Sequence, residues 1–594
     1  MLATVLMLVA SASLAQQLSF TVDLTKTGSK EAFVELSIHG LKPAKKPSYQ
    51  MPVWAPGAYS VTNYGRFVKN FKVVDASGKE IPATKVNENR WEMPAGSKPA
   101  KITYSVINSY LDSTSLYFAM CHIDTNFFFA NGTCLFGYMN DDKSLKAKVG
   151  YLIPSGWSGY TANNTAELPK TLSLDASNYD ELADAPIMAG KGLQVREFEQ
   201  GGAKYDVVVA SDESFLMDSL EIYTKKIVKS QTDFFGDTPF KRYTFLINAP
   251  TFSKAPSQAF GALEHANSSA YLMINMPWSF FKEFGISTIS HEFFHLWNVK
   301  RIHSSKLGPF DYTQRVMTTS LWLSEGVTDY YANALLSRSG ILPPHAFEKK
   351  IAEWSMASGG SRAVKEETLE QLSIDESAFD LGKAMSFYTK GPLVALMLDI
   401  EIRTRTNDQY SLDDVMHGLY AQSKNKNYFK DEELIGRIEK ITGLNLQSFY
   451  KSYIAGTDSL PLASYLVQLG LLKDVEHTEY SGFAWRTRFV HDDSALVIES
   501  FYDNSELDTA GLAIGDTILS INGQHMTRDD ADEFSMNHAT PQRLDIVFRR
   551  HGTTLQRSVT MLHPRSSRTL KQDIAPDEHA GSLAREIRRS IYGG

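Results

Sequence analysis

The hydrophobic period of this 594-residue chain changes twice, and each change limits what the segment can fold into. From about residue 18 to 200 the chain runs in short alternating stretches such as SFTVDL, AFVELSIHG, KNFKVVDASGKEI and AKITYSVINSY, punctuated by Gly, Pro and Asn. A period of two puts one set of side chains on one face of a pleated strand, so this region reads as a β-rich domain. Between about 205 and 463 the period becomes helical, in SFLMDSLEIYTKKIVKSQTDFF and KGPLVALMLDIEIRTRT, with strands only near the start in RYTFLINAP and SAYLMINM. From about 466 to 562 short strands return, as in SALVIESF, DTILSING and RLDIVFRR. Residues 564–594 mix Arg with Asp, Glu and Ser and carry little apolar content, which predicts a loosely held tail. At roughly 150 residues per domain, three or four cores are expected.

Composition narrows the function classes. Apolar residues at 43%, charged at 22% and aromatics at 11% exclude wholesale disorder. A formal net charge of −8 is small for this length and gives no sign of a basic surface for nucleic acid or anionic lipid. Only Cys121 and Cys134 occur, so neither a disulfide framework nor a Cys-rich zinc module can form, and any metal must be held by His and carboxylate. The two cysteines are read either as one bridge or as two buried thiols.

Residues 1–15, MLATVLMLVASASLA, form an apolar run ending in a small-x-Ala triplet before Gln16 and Gln17, as in a secretory signal cut after Ala15. No Lys or Arg precedes the run. The competing reading is a buried or membrane-anchoring helix, but the run falls short of the ~20 residues a span needs and no other segment reaches that length, so the mature chain is expected to have no transmembrane segment and to be exported, to a bacterial periplasm or outside the cell.

The chemistry concentrates in ISTISHEFFHLWNV, where His291 and His295 frame Glu292 in an H-E-x-x-H pattern inside a Gly- and Pro-free apolar stretch. Spacing of i, i+4 stacks both imidazoles on one helix face, within reach of one ion, with Glu292 placed to touch a water held by that ion. The competing reading is a core helix whose histidines bond to backbone carbonyls. Downstream, LWLSEGVTDYYANALL offers Glu325 as a third ligand, leaving a fourth position open, and Asp329 as acceptor for a ligand histidine's other N–H.

HEFFHLWNVKRI, then LGPFDY and WLSEGVTDYY, resembles the glycyl aminopeptidase family, gluzincin zinc metallopeptidases with a C-terminal PDZ domain. The separation from His295 to Glu325 is longer than in thermolysin-like and leucyl-type relatives, and a longer WNVKRI loop is usual in this family. WAPGAYSVTNYGRFV (54–68) looks like the signature of its N-terminal β domain, and GTDSLPLASYL resembles the exit into the PDZ region. The resemblance covers nearly the whole mature chain and implies a multidomain α+β fold. Its parts are a signal peptide (1–15), an N-terminal β-rich domain (16–204), a thermolysin-like, mostly helical catalytic domain (205–463), a PDZ domain (464–563) and the tail (564–594).

Two more sites follow from the resemblance. Gly261, Ala262 and Glu264, in GALEH, occupy the place of the aminopeptidases' Gly-x-Met-Glu-Asn element, which implies that Glu264 pairs with the substrate's α-ammonium. Fixing a cation beside the metal registers the chain so that the first peptide bond meets the metal water. Tyr388, in YTKG, matches the Tyr-x-Lys-Gly element that places a phenol against the tetrahedral intermediate, where a neutral O–H donates to an oxyanion.

Near the C-terminus, AGLAIGDTILSING looks like a PDZ domain, its glycines turning the chain and its apolar residues filling a strand before an Asn-Gly turn. Ser481, Gly482 and Phe483 would form its carboxylate-binding loop for a C-terminal peptide ligand, unless the domain only packs on the catalytic body.

The expected function is that of an exported zinc aminopeptidase with one zinc per chain. It hydrolyses peptides with a free N-terminus and a small first residue, Gly or Ala, through a zinc-activated water. Zinc rests on His291, His295 and Glu325, Glu292 is general base and then acid, and Tyr388 steadies the oxyanion. The alternatives are a broader aminopeptidase, an endopeptidase, or a PDZ-centred peptide-binding protein with a vestigial peptidase domain.

Overall fold

A computed structural model of the chain describes residues 16–26, 30–42, 44–110, 112, 119–162, 172–251, 260–278, 281–360, 365–375, 386–480, 485–489, 496–501, 506–526, 542–561 and 567–593. The expected signal peptide, residues 1–15, and the expected carboxylate-binding residues Ser481, Gly482 and Phe483 lie outside the described residues.

The N-terminal region is β-rich. Alternation in Gln17–Asp23 turns Leu18, Phe20 and Val22 inward, and the strand lies third in a seven-stranded sheet. It pairs parallel with Lys146–Leu152 and antiparallel with Glu31–His39. Two four-stranded sheets complete this region, and Cys121 and Cys134 are buried free thiols in its core.

The catalytic domain puts helices against a five-stranded sheet, with Ala203–Ala210, Arg242–Asn248 and Ser268–Met273 parallel at its centre. The edge strand Phe260–Glu264 runs antiparallel to Ser268–Met273, with Gly261 opposite Leu272 and Ala262 opposite Tyr271. The sheet also takes Gln194–Gln200, joined to Ala203–Ala210 through Gly201 and Gly202, both at positive φ. The boundary expected at residue 204 therefore cuts a hairpin, and Phe198 packs in the catalytic core. Alternation identifies a strand but not the sheet it joins, hence the error.

Beyond the helices, residues 485–561 supply a six-stranded antiparallel sheet with a core of its own, including Leu496, Ile518, Ile546 and Phe548. Along the chain it falls between the two paired strands of a ribbon, Leu471–Tyr480 and Ser567–Pro576. The tail expected to be loosely held is instead part of the structure. Ser567–Pro576 is paired, and the helix Ser582–Tyr592 buries Ile587, Ile591 and Tyr592. Tyr592 donates its hydroxyl hydrogen to Glu348 at 2.8 Å, and Arg338 donates to the Ile591 carbonyl at 2.8 Å. Low apolar content hid a narrow i, i+4 stripe that docks on the catalytic domain. Among the described residues, no helix is long and apolar enough to cross a membrane.

Candidate active site

The helix Ile286–Phe294 is held by apolar Ile286, Ile289, Phe293 and Phe294, all fully buried. His291 and His295, one turn apart, bring their Nε2 atoms within 2.9 Å of each other. Their Nδ1 atoms are committed elsewhere. That of His295 donates to the Asn298 carbonyl at 2.7 Å, and that of His291 lies 3.4 Å from Asp329 Oδ1. These contacts turn both Nε2 lone pairs toward one point.

Glu325 arrives on a π-helical turn, Trp322–Val327, that leads into the α-helix Thr328–Arg338. Such widened turns often mark functional positions, because the extra residue re-aims a side chain. Glu325 Oε2 lies 3.4 Å from His291 Nε2 and 3.6 Å from His295 Nε2. The amide of Asn298, fully buried, donates to the Leu323 carbonyl at 2.8 Å and to Thr328 Oγ1 at 3.0 Å, tying the two segments together.

Tyr388 precedes the helix Lys390–Arg405 and donates its hydroxyl hydrogen to Glu325 Oε2 at 3.1 Å. Burial, then the charges of Glu325 and Glu292, raise its pKa well above the ordinary value, so the phenol stays neutral. A close crossing places it: a Cβ on Gly326 would lie 2.7 Å from the Gly391 backbone.

Glu264 ends the edge strand, and its carboxylate, the Glu292 carboxylate and a His295 ring nitrogen lie within 4.8 Å of one another. Lys300 Nζ is 3.6 Å from Glu264 Oε1 and 3.0 Å from Asp184 Oδ1. Asp184 also accepts from Ala266 N–H at 2.6 Å and pairs with His265 Nδ1 at 3.0 Å. Burial works against its charge, but Lys300 and His265 hold the carboxyl down at about 2. Sequence reasoning missed Lys300 and Asp184, 116 positions apart in the chain. It also missed Gly57, whose absent Cβ would stand 2.7 Å from both Glu264 oxygens.

The donors fit a divalent cation. Zinc with nitrogen and oxygen ligands near 2.0–2.2 Å spaces tetrahedral donors by about 3.4 Å, close to the separations among His291, His295 and Glu325. Glu292 Oε2 is buried with no hydrogen-bond partner among the described residues, beside this cluster. Its pKa is raised to about 7, chiefly by burial, against the lowering effect of His291 and His295.

Residues 19–191 match the peptidase M61 N-terminal domain and residues 285–394 match the M61 glycyl aminopeptidase domain. A solved aminopeptidase N family protein from Idiomarina loihiensis is similar over 97% of this chain and 100% of its own, with a TM-score of 0.71 at 20% identity. An M1 zinc metallopeptidase from Deinococcus radiodurans aligns over 76% of this chain and 96% of its own, with a TM-score of 0.48 at 15% identity. No curated protein sequence matches significantly. The chain thus carries the N-terminal and the catalytic domain of the M61 glycyl aminopeptidases and is a zinc aminopeptidase.

Proposed function

We propose that the protein binds one zinc ion on His291, His295 and Glu325 and removes small first residues, Gly or Ala, from peptides with a free N-terminus. The observation that carries this reading is the closeness of Glu264 to Glu292 and His295, within 4.8 Å. An ammonium held by Glu264 sits one residue's reach from the metal donors, which registers the first peptide bond and no later one. Zinc there supplies Lewis-acid polarisation of the scissile carbonyl and of the attacking water.

The chain's own residues do the rest. Glu292, with an unpartnered Oε2 and a pKa near 7, takes the proton of the water and returns it to the leaving amine. Tyr388, neutral and already pointing its O–H at the cluster, turns that donor to the developing oxyanion. Asp329 orients His291 through Nδ1.

Residues 464–563 are proposed as a PDZ domain whose Ser481–Phe483 loop accepts a peptide C-terminus. Export is proposed from the apolar leader, with the first strand starting at Gln17, two residues beyond the expected cut. The test is chelator-sensitive release of amino acids from Gly-, Ala- and Leu-headed peptides, each free or N-acetylated. Gly and Ala release that acetylation blocks is expected. Cleavage of acetylated peptides would replace the aminopeptidase reading with an endopeptidase, and Leu release as fast as Gly would remove the small-residue preference.

A further inference from the structure

The loop at residues 54–61 belongs to the N-terminal domain by sequence, yet it is built into the catalytic site. An isolated bridge between Trp54 and Val61 closes it. Trp54 Nε1 donates to the Asp311 carbonyl at 2.7 Å and Val53 N–H to the Tyr312 carbonyl at 2.8 Å, clamping its base to the catalytic domain. At its tip, Gly57 at φ +86° lets the backbone rest on the Glu264 carboxylate.

Two residues on, Tyr59 holds φ +51°, a left-handed conformation that costs a bulky residue about 1–3 kcal/mol. Its side chain is 4% exposed and packs in the catalytic core cluster, while neighbouring Ala55 and Ala58 pack in the N-terminal core. That cluster also holds Phe293 and Phe294 of the histidine helix and Trp322 and Leu323 beside Glu325, and Gly57, two residues away, lies against the Glu264 carboxylate, so the ring is held between the metal-donor segments and the ammonium anchor. The charges of Glu325 and Glu264 accordingly add to burial in raising its phenol pKa. A substrate reaching from Glu264 to the metal must place its first Cα in that same space, and any side chain on that Cα meets what already fills it.

We infer that Tyr59 is the specificity-determining residue of the enzyme: its ring fills the volume that a first side chain larger than methyl would need, while Gly57 closes the space over Glu264. This rests on the small-residue reading above and adds the residue that enforces it. The strained backbone of Tyr59 fits such a role, since a turn serving the fold alone is served better by Gly or Asn.

The experiment compares kcat/KM for Gly-, Ala-, Leu- and Phe-4-nitroanilide in wild type, Tyr59→Gly and Tyr59→Phe. Glycine suits the left-handed backbone, so Tyr59→Gly should raise the Leu:Gly ratio at least about tenfold, the scale set by hydrophobic groups in a pocket. Tyr59→Phe keeps the ring and should keep the wild-type ratio. An unchanged ratio in Tyr59→Gly overturns the inference, and so does a Tyr59→Phe ratio that rises as far. If Tyr59→Gly does not fold, Tyr59→Asn is read in its place by the same ratio. Loss of activity on every substrate in a folded variant also overturns the inference, because Tyr59 would then serve the chemistry and not the size filter. A wild type that takes Leu as fast as Gly refutes the small-residue reading itself, before any variant is made.

Discussion

Gly326 and Gly391 meet backbone to backbone, and a Cβ on either would fall 2.7–2.8 Å from the other's main chain. One follows Glu325 and the other lies three residues after Tyr388, so this crossing sets the 3.1 Å hydrogen bond between those side chains. Gly391→Ala should push the helices apart, costing about 1–3 kcal/mol as overpacking does. It should also lower kcat more than it raises KM, since Tyr388 leaves its place. Urea unfolding together with steady-state kinetics checks this, and wild-type kcat in Gly391→Ala would refute the link.

Glu292→Gln keeps the shape of the side chain and removes its capacity to take a proton. Metal content measured by mass spectrometry should match wild type, while kcat falls by about 10²–10⁴, the usual range for a lost general base. Hydrolysis at the normal rate would remove Glu292 from the mechanism.

Lys300 lies nearer Asp184, at 3.0 Å, than Glu264, at 3.6 Å, so Asp184 absorbs most of its charge and leaves the Glu264 carboxylate to the substrate. Asp184→Asn keeps the acceptor for Ala266 N–H but removes that counter-charge. Lys300 should then turn to Glu264 and compete with the α-ammonium, raising KM for Gly-4-nitroanilide about tenfold with little change in kcat. Adding Lys300→Met should restore KM. A double variant as impaired as Asp184→Asn would show that Asp184 acts otherwise.

His122 stacks on Tyr110 with ring centroids 3.8 Å apart and lies 3.5 Å from Asn248 on the catalytic sheet, where the two domains meet. Burial lowers its pKa from 6.5 to about 4, against a smaller opposing effect of Asp124. Between those values the unfolded chain binds a proton there that the folded chain refuses. The stabilisation is therefore complete above pH 6.5 and lost as pH falls through 4. Its ceiling is about 3 kcal/mol at 1.36 kcal/mol per pH unit. His122→Phe should flatten the fall in melting temperature between pH 7 and pH 4.5, and an unchanged slope would place the acid sensitivity elsewhere.

The parts of the site legible in the sequence are those set by short-range spacing. His291, Glu292 and His295 share one helix, and Glu325 and Asp329 share the next segment, so period and residue type suggest them as a set against the competing core helix, and His291, His295 and Glu325 do cluster. Tyr388 and Glu264 needed a family resemblance, because nothing in one tyrosine among 27 marks a phenol that faces a metal. Gly57, Tyr59 and Lys300 lie in stretches legible only as marks of the family, WAPGAYSVTNYGRFV and WNVKRI, and Asp184 lies in none; their roles arise where segments far apart in the chain come together. The catalytic boundary was misplaced because a hairpin reads the same whichever sheet it joins.

The terminal helix Ser582–Tyr592 shows the opposite failure, where composition outweighed a period that was present. Ile587, Ile591 and Tyr592 form a stripe that packs on the helix Thr328–Arg338, which itself carries Asp329. Burying two isoleucines contributes about 1.5–3 kcal/mol each. A chain ending at residue 577 should lose that burial, and Glu348 would lose the Tyr592 hydroxyl. The loss should total about 5 kcal/mol, adding a net hydrogen-bond contribution of about 1 kcal/mol to the burial. Differential scanning calorimetry of the truncated chain should show a lower melting temperature, with metal affinity reduced because the helix bearing Asp329 frays. An unchanged melting temperature would return residues 578–594 to the status of a loose tail.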